Sequence, residues 1–183
     1  MSSQHIQESV KGVIQYYTEN PDKAVSEDRP ATAIVEDGLR CRATGPNGAE
    51  IVSDMPKGIG GGATAPTPGW FLRAALATCD ATLFAMRAAE LGVTLTTLEV
   101  TVGSTSDDRG LLQIDDSIHA GPLNVQIHVK LGGKDVTKEQ LHELAAWFER
   151  HSPVGDAISR AVPLKVNVDV VLINLDFIHC KTL

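Results

Sequence analysis

The sequence predicts an α+β domain built in layers, and three observations carry that prediction. Three runs alternate apolar and polar residues at the period of a half-buried strand: Leu98, Val100 and Val102; Val125, Ile127, Val129 and Leu131; Leu164, Val166, Val168, Val170 and Leu172. Two segments repeat their apolar residues at helical spacing instead: Leu72, Ala75, Leu76, Cys79, Leu83 and Met86 in one, Leu141, Leu144, Ala145 and Phe148 in the other. The 183 residues carry no charge block, repeat or low-complexity tract that would divide them, so a single domain is expected. One-sided strands and apolar-faced helices bury those faces only by stacking into layers.

The elements follow in order. Ile6, Val10, Val13 and Tyr17 predict an amphipathic helix over residues 4–18, ending before "ENPD". It reads as an appendage: residues 1–30 form a helical extension and 31–183 the main domain. "ATAIVEDGLRCRATGPNGAEIVSD" alternates around Asp37-Gly38 and "GPNG", which predicts two or three short strands joined by tight turns. "MPKGIGGGATAPTPG" reads as a loop. Thr67 then stands as N-cap, Pro68 at the first helical position and Gly92 as the stop of a long helix. The later helix opens with a capping box, Thr137 to Gln140, and is expected to end at Pro153, with the last strand following.

A net charge of −7 and an aromatic content of only 4% disfavour a nucleic-acid partner. The amino terminus lacks the basic start and apolar run of a signal peptide. No stretch offers eighteen uncharged apolar residues, so neither export nor a membrane is expected. Cys41, Cys79 and Cys180 are an odd, widely spaced set. That argues against a disulfide framework or a zinc cluster and for a reducing, cytoplasmic compartment. No metal and no cofactor are expected: the six histidines are dispersed, His142 and His151 fall on opposite faces of their helix, and His128 lies on the polar side of its strand.

Two motifs bear on chemistry. "GIGGGATAP" runs into a helix start, where backbone N–H groups favour anions. Without a following Lys-Ser or the G-x-G-x-x-G spacing it reads as a mobile loop rather than a phosphate cradle. Cys79 sits among alanines and leucines in "LRAALATCDATLFAM". Periodicity alone makes it core packing. A rigid Ala/Leu helix is equally a platform for a reactive thiol if an arginine favours the thiolate. Arg73, six positions earlier, points elsewhere; Arg40 and Arg42 lie on an expected strand placed to cross above it. Asp80, about 100° round the helix, is not aimed at the sulfur.

In order and spacing these motifs resemble the OsmC/Ohr superfamily over roughly residues 32–172. A "GGG" loop leads to "APTPGWFLRAALATCDATLFAMRAAELG", similar to the family's proline-opened central helix with its Ala-Leu-Ala-x-Cys signature, and "HSPVGDAI" resembles the family's Cys-Pro-Val element. The resemblance implies two central helices wrapped by antiparallel sheets in an intertwined homodimer. It also implies a thiol that reduces organic hydroperoxides, mapping onto Cys79, with an arginine holding the thiolate: Arg42 first, Arg40 as the alternative.

The sequence departs from that pattern twice. Gly69 stands where the family has an acid, and Ser152 stands at the resolving-cysteine position before Pro153. Two readings follow. One is a one-cysteine, thiol-dependent hydroperoxide reductase of the stress response, acting on a small organic hydroperoxide and restored by an external thiol, or by Cys41 or Cys180. The other is a non-catalytic dimer of the same fold that binds a small apolar molecule, with Cys79 structural.

Overall fold

The turn signals at residues 37–49 fold the first part of the chain into a three-stranded antiparallel sheet, β1 (Thr32–Asp37), β2 (Arg40–Thr44) and β3 (Glu50–Ser53), in that order. Gly38 takes φ +55° in the first turn, where a side chain would be strained. Residues 3–171 are described by a computed structural model.

The long helix α2 (Pro68–Glu90) starts and stops where its caps dictate. Thr67 accepts the Trp70 N–H, Pro68 occupies the first position, and Gly92 follows the end at φ +73°. A two-stranded antiparallel sheet of β4 (Thr94–Thr105) and β5 (Asn124–Lys134) packs on it, pairing Leu98 with Leu131 and Val100 with Val129. The excursion joining these strands carries the one-turn helix α3 (Asp108–Leu111). Next come α4 (Lys138–Phe148), with both halves of its capping box formed between Thr137 and Gln140, and α5 (Pro153–Ser159).

Phe84 and Ala88 of α2 meet Leu144 and Phe148 of α4 in the core, with Leu98, Val100, Val129 and Leu131 packed against them. The rings of Phe84 and Phe148 stack with centroids 4.5 Å apart. The first helix, α1 (Ser3–Glu19), lies on α2, and Gln7 Nε2 donates to the Glu90 carbonyl at 2.9 Å.

The structure corrects four expectations. Pro153 does not end α4, which stops at Phe148; it opens α5, with Ser152 as N-cap accepting the Gly155 N–H at 3.0 Å. Proline fits the first turn of a helix as well as it blocks an interior, and the chain uses the first property. The expected last strand is not formed: residues 164–171 join no ladder, and Leu164, Val166, Val168 and Val170 are exposed. An alternating segment becomes a strand only where a neighbouring edge supplies its hydrogen bonds, and the sheets described here supply none to it. Leu172 lies outside the described residues.

The third correction concerns the buried side of α2. Its covered residues are Leu76, Asp80, Phe84, Ala88 and Ala89, while Leu72 and Met86 are exposed. The helix is apolar nearly all round, so the sequence pattern does not say which side its own chain covers. The fourth concerns the glycine loop. It is tied down by Asp54, whose carboxylate accepts from the N–H groups of Met55 (2.7 Å), Gly62 (3.2 Å) and Thr64 (2.9 Å) and from the Thr64 hydroxyl (2.8 Å). The loop's N–H groups do form an anion nest, and the chain fills it with its own carboxylate.

Candidate thiol site

Cys79 sits midway along α2, in line with the exposed Leu72 and Met86 seven residues either side of it, and it is half-buried. It lines a cavity of about 500 Å³ whose walls include Ala75, Thr78, Thr82, Leu83 and Met86 of the same helix and Pro153 at the start of α5. The wall residues are small, apolar or hydroxylated, and none is charged.

Pro153 is held there by the residue before it. Ser152 is buried; its hydroxyl donates to Asp80 Oδ1 at 2.6 Å while accepting the Gly155 N–H. Gly155 allows that approach, since a Cβ there would lie 2.8 Å from Ser152 Oγ. Asp80 is fully buried and its Oδ2 has no hydrogen-bond partner among the described residues. Burial pushes its carboxyl above the ordinary 3.8, against the opposing effect of the Ser152 hydrogen bond. The serine is therefore built into the junction of α2 and α5, next to the thiol cavity.

The two candidate arginines are engaged elsewhere within the chain. Arg42 bonds Glu36 and Glu50 across the first sheet. Arg40 donates from Nη1 to the Thr64 hydroxyl at 2.7 Å and pairs with Glu36. Within one chain the structure brings together Cys79, Pro153, Ser152 and Asp80 but brings neither Arg40 nor Arg42 to the cavity wall. Gly69 sits in the first turn of α2, beside Arg73. Cys41 lies on β2, and Cys180 lies outside the described residues.

Asp80 is the residue that sequence reasoning passed over. The signal was present: Leu76, Asp80, Phe84 and Ala88 stand four apart, a row on one face of a helix, and the acid shares that row with three core residues.

These features converge on one family. The OsmC model, described as "OsmC-like protein", matches residues 60–167. The chain belongs to the OsmC-like protein family. No functionally curated protein matches the sequence. Among solved structures, an OsmC-like protein from Mycoplasma pneumoniae superposes with a TM-score of 0.63 at 18% identity, covering 82% of this chain and 100% of its own. An organic hydroperoxide resistance protein OsmC from Legionella pneumophila gives 0.53 at 18%, covering 73% and 90%. An organic hydroperoxide resistance protein from Elizabethkingia anophelis gives 0.53 at 19%, covering 73% and 89%. At these identities the likeness establishes the OsmC fold, of mixed helix and antiparallel sheet. No helix among the described residues is long and apolar enough to cross a membrane.

Proposed function

We propose that this OsmC-like protein reduces small organic hydroperoxides through Cys79. The observation that carries the reading is the seat of Cys79, half-buried on the central helix in the wall of a cavity large enough for a small organic molecule. The thiolate attacks one oxygen of the O–O bond, forming the S–O bond; the released alkoxide takes a proton and leaves as the alcohol, and Cys79 becomes a sulfenic acid. Ser152 forms no disulfide, so two equivalents of external thiol reduce the sulfenic acid, giving a disulfide of the reductant and water.

The cation favouring the thiolate is Arg42, with Arg40 as the alternative. Each is committed to Glu36, Glu50 or Thr64 in its own chain, so it reaches a thiol by leaving those contacts or across a homodimer. A homodimer is supported by the uncovered side of α2 and by the exposed apolar residues Val166, Val168 and Val170, which have no ladder partner among the described residues. The proposed setting is the reducing cytoplasm. The extension 1–30 and the main domain 31–183 form one unit in this reading, through the packing of α1 on α2.

The test is turnover. Cumene hydroperoxide should disappear in the presence of protein and a dithiol, and Cys79→Ser should abolish the loss while Cys41→Ser and Cys180→Ser retain it. Sedimentation equilibrium should return a dimer at micromolar concentration; a persistent monomer would remove the shared site. The uncharged cavity wall favours a second reading, a non-catalytic dimer that holds an apolar molecule beside an inert Cys79. Under it, turnover is absent and the wild type equals Cys79→Ser.

A further inference from the structure

A second cavity, of about 610 Å³, lies between the first turn of α2 and the excursion that carries α3. It shares no lining residue with the thiol cavity. Arg73, which lines it, stands about 120° round the helix from Cys79. Its walls are largely apolar and include Met55, Ile59, Leu111 and Leu112, of which the last three are exposed. The size is that of a small-molecule site.

The charge distribution inside it is unusual for this protein. Four described arginines are half-buried: Arg40, Arg42, Arg73 and Arg87. Three of them pair with a carboxylate, Glu36, Glu50 or Glu90. Arg73 pairs with no carboxylate among the described residues, where its hydrogen bond runs from Nη1 to the Ser104 hydroxyl at 3.1 Å. The acid that also lines the cavity, Asp108, is exposed, and no ion pair links it to Arg73. A half-buried guanidinium beside apolar walls is stabilised by an anion with matching geometry. Gly69 keeps the space in front of it open: a Cβ at that position would lie 3.9 Å from Arg73 Nη1, so an acidic side chain there would reach the guanidinium and occupy it.

We propose that this cavity binds an amphipathic carboxylate, its head on the Arg73 guanidinium and its chain along Met55, Ile59, Leu111 and Leu112. The site is separate from Cys79 and independent of the hydroperoxide reading.

Calorimetric titration with octanoate tests it. The wild type should bind one octanoate per chain saturably, and 1-octanol, with the same chain and no charge, should bind about tenfold more weakly or worse. Arg73→Met should weaken octanoate by a similar factor, and Arg73→Lys should recover part of the loss. Gly69→Glu, which adds an internal carboxylate without removing the arginine, should weaken octanoate in a folded protein. Cys79→Ser should leave binding unchanged. The proposal fails if the wild type shows no saturable binding, as when a second copy of the chain fills the cavity, if Arg73→Met binds as well as the wild type, or if Cys79→Ser abolishes binding.

Discussion

Ser152 Oγ donates to Asp80 Oδ1 at 2.6 Å across 72 residues of sequence, joining the serine that caps α5 to the acid that follows Cys79 on α2. A cysteine at position 152 would offer only a weak donor to Asp80 and a weak acceptor to the Gly155 N–H. A hydroxyl serves both and stays buried. The serine hydroxyl thus bonds at once to the acid of α2 and to the first turn of α5.

Ser152→Ala should therefore destabilise the protein by about 1–3 kcal/mol, because it leaves a buried carboxyl with neither oxygen bonded. The Asp80 carboxyl is raised by burial, so its contribution is fully present below the ordinary 3.8 and is lost as pH rises through the higher folded value. Denaturant midpoints followed from about pH 4 to about pH 7 should fall more steeply in the wild type than in Asp80→Asn, which has no proton to lose. Parallel curves for the two proteins contradict this account of Asp80.

Asp54 behaves in the opposite sense. Bonds from the Thr64 backbone and hydroxyl, then from the Met55 and Gly62 N–H groups, hold its pKa down at about 2. Its contribution is present above the ordinary 3.8 and is lost as pH falls through about 2. At neutral pH, Asp54→Asn turns an amide NH₂ toward N–H donors, and amide exchange at Gly62 and Thr64 should quicken about tenfold. Unchanged protection at both amides would mean that the loop is held by something other than Asp54.

Arg42 and Arg40 are distinguished by thiol labelling. If Arg42 favours the thiolate, Arg42→Met should slow iodoacetamide labelling of Cys79 near neutral pH by about tenfold, the effect of one pKa unit, with Arg40→Met the alternative. Identical labelling profiles in both variants would remove strand β2 as the source of the charge.

The elements whose signals are local were legible in the sequence: the caps at Thr67 and Thr137, the stop at Gly92, and the alternation of Val100 and Val129. What escaped depends on partners distant in the chain. Nothing in "HSPVG" says that Ser152 will meet Asp80, and a proline that ends one helix or begins the next looks the same until Phe148 is seen to stop α4. The run from Leu164 to Val170 has the period of a strand, but a strand also needs an edge, and period carries no information about edges. The glycine loop differs, because its anion is near in sequence: Asp54, just before the loop, fills it, and nothing in the run of glycines marks that carboxylate as turning inward. Arg73 was set aside because it points away from Cys79, and that direction carries it into the second cavity.

The central claim is that Cys79 is a peroxidatic thiol, and its oxidation product tests it most directly. Treated with one equivalent of cumene hydroperoxide and then dimedone, the folded protein should gain a single adduct at Cys79 by mass spectrometry, with further oxidant driving the untrapped thiol to the sulfinic acid. The adduct should be absent in Cys79→Ser and present in Cys41→Ser and Cys180→Ser. A Cys79 that stays unmodified in the folded protein and reacts only after unfolding would contradict the claim and make the cysteine part of the packing of α2.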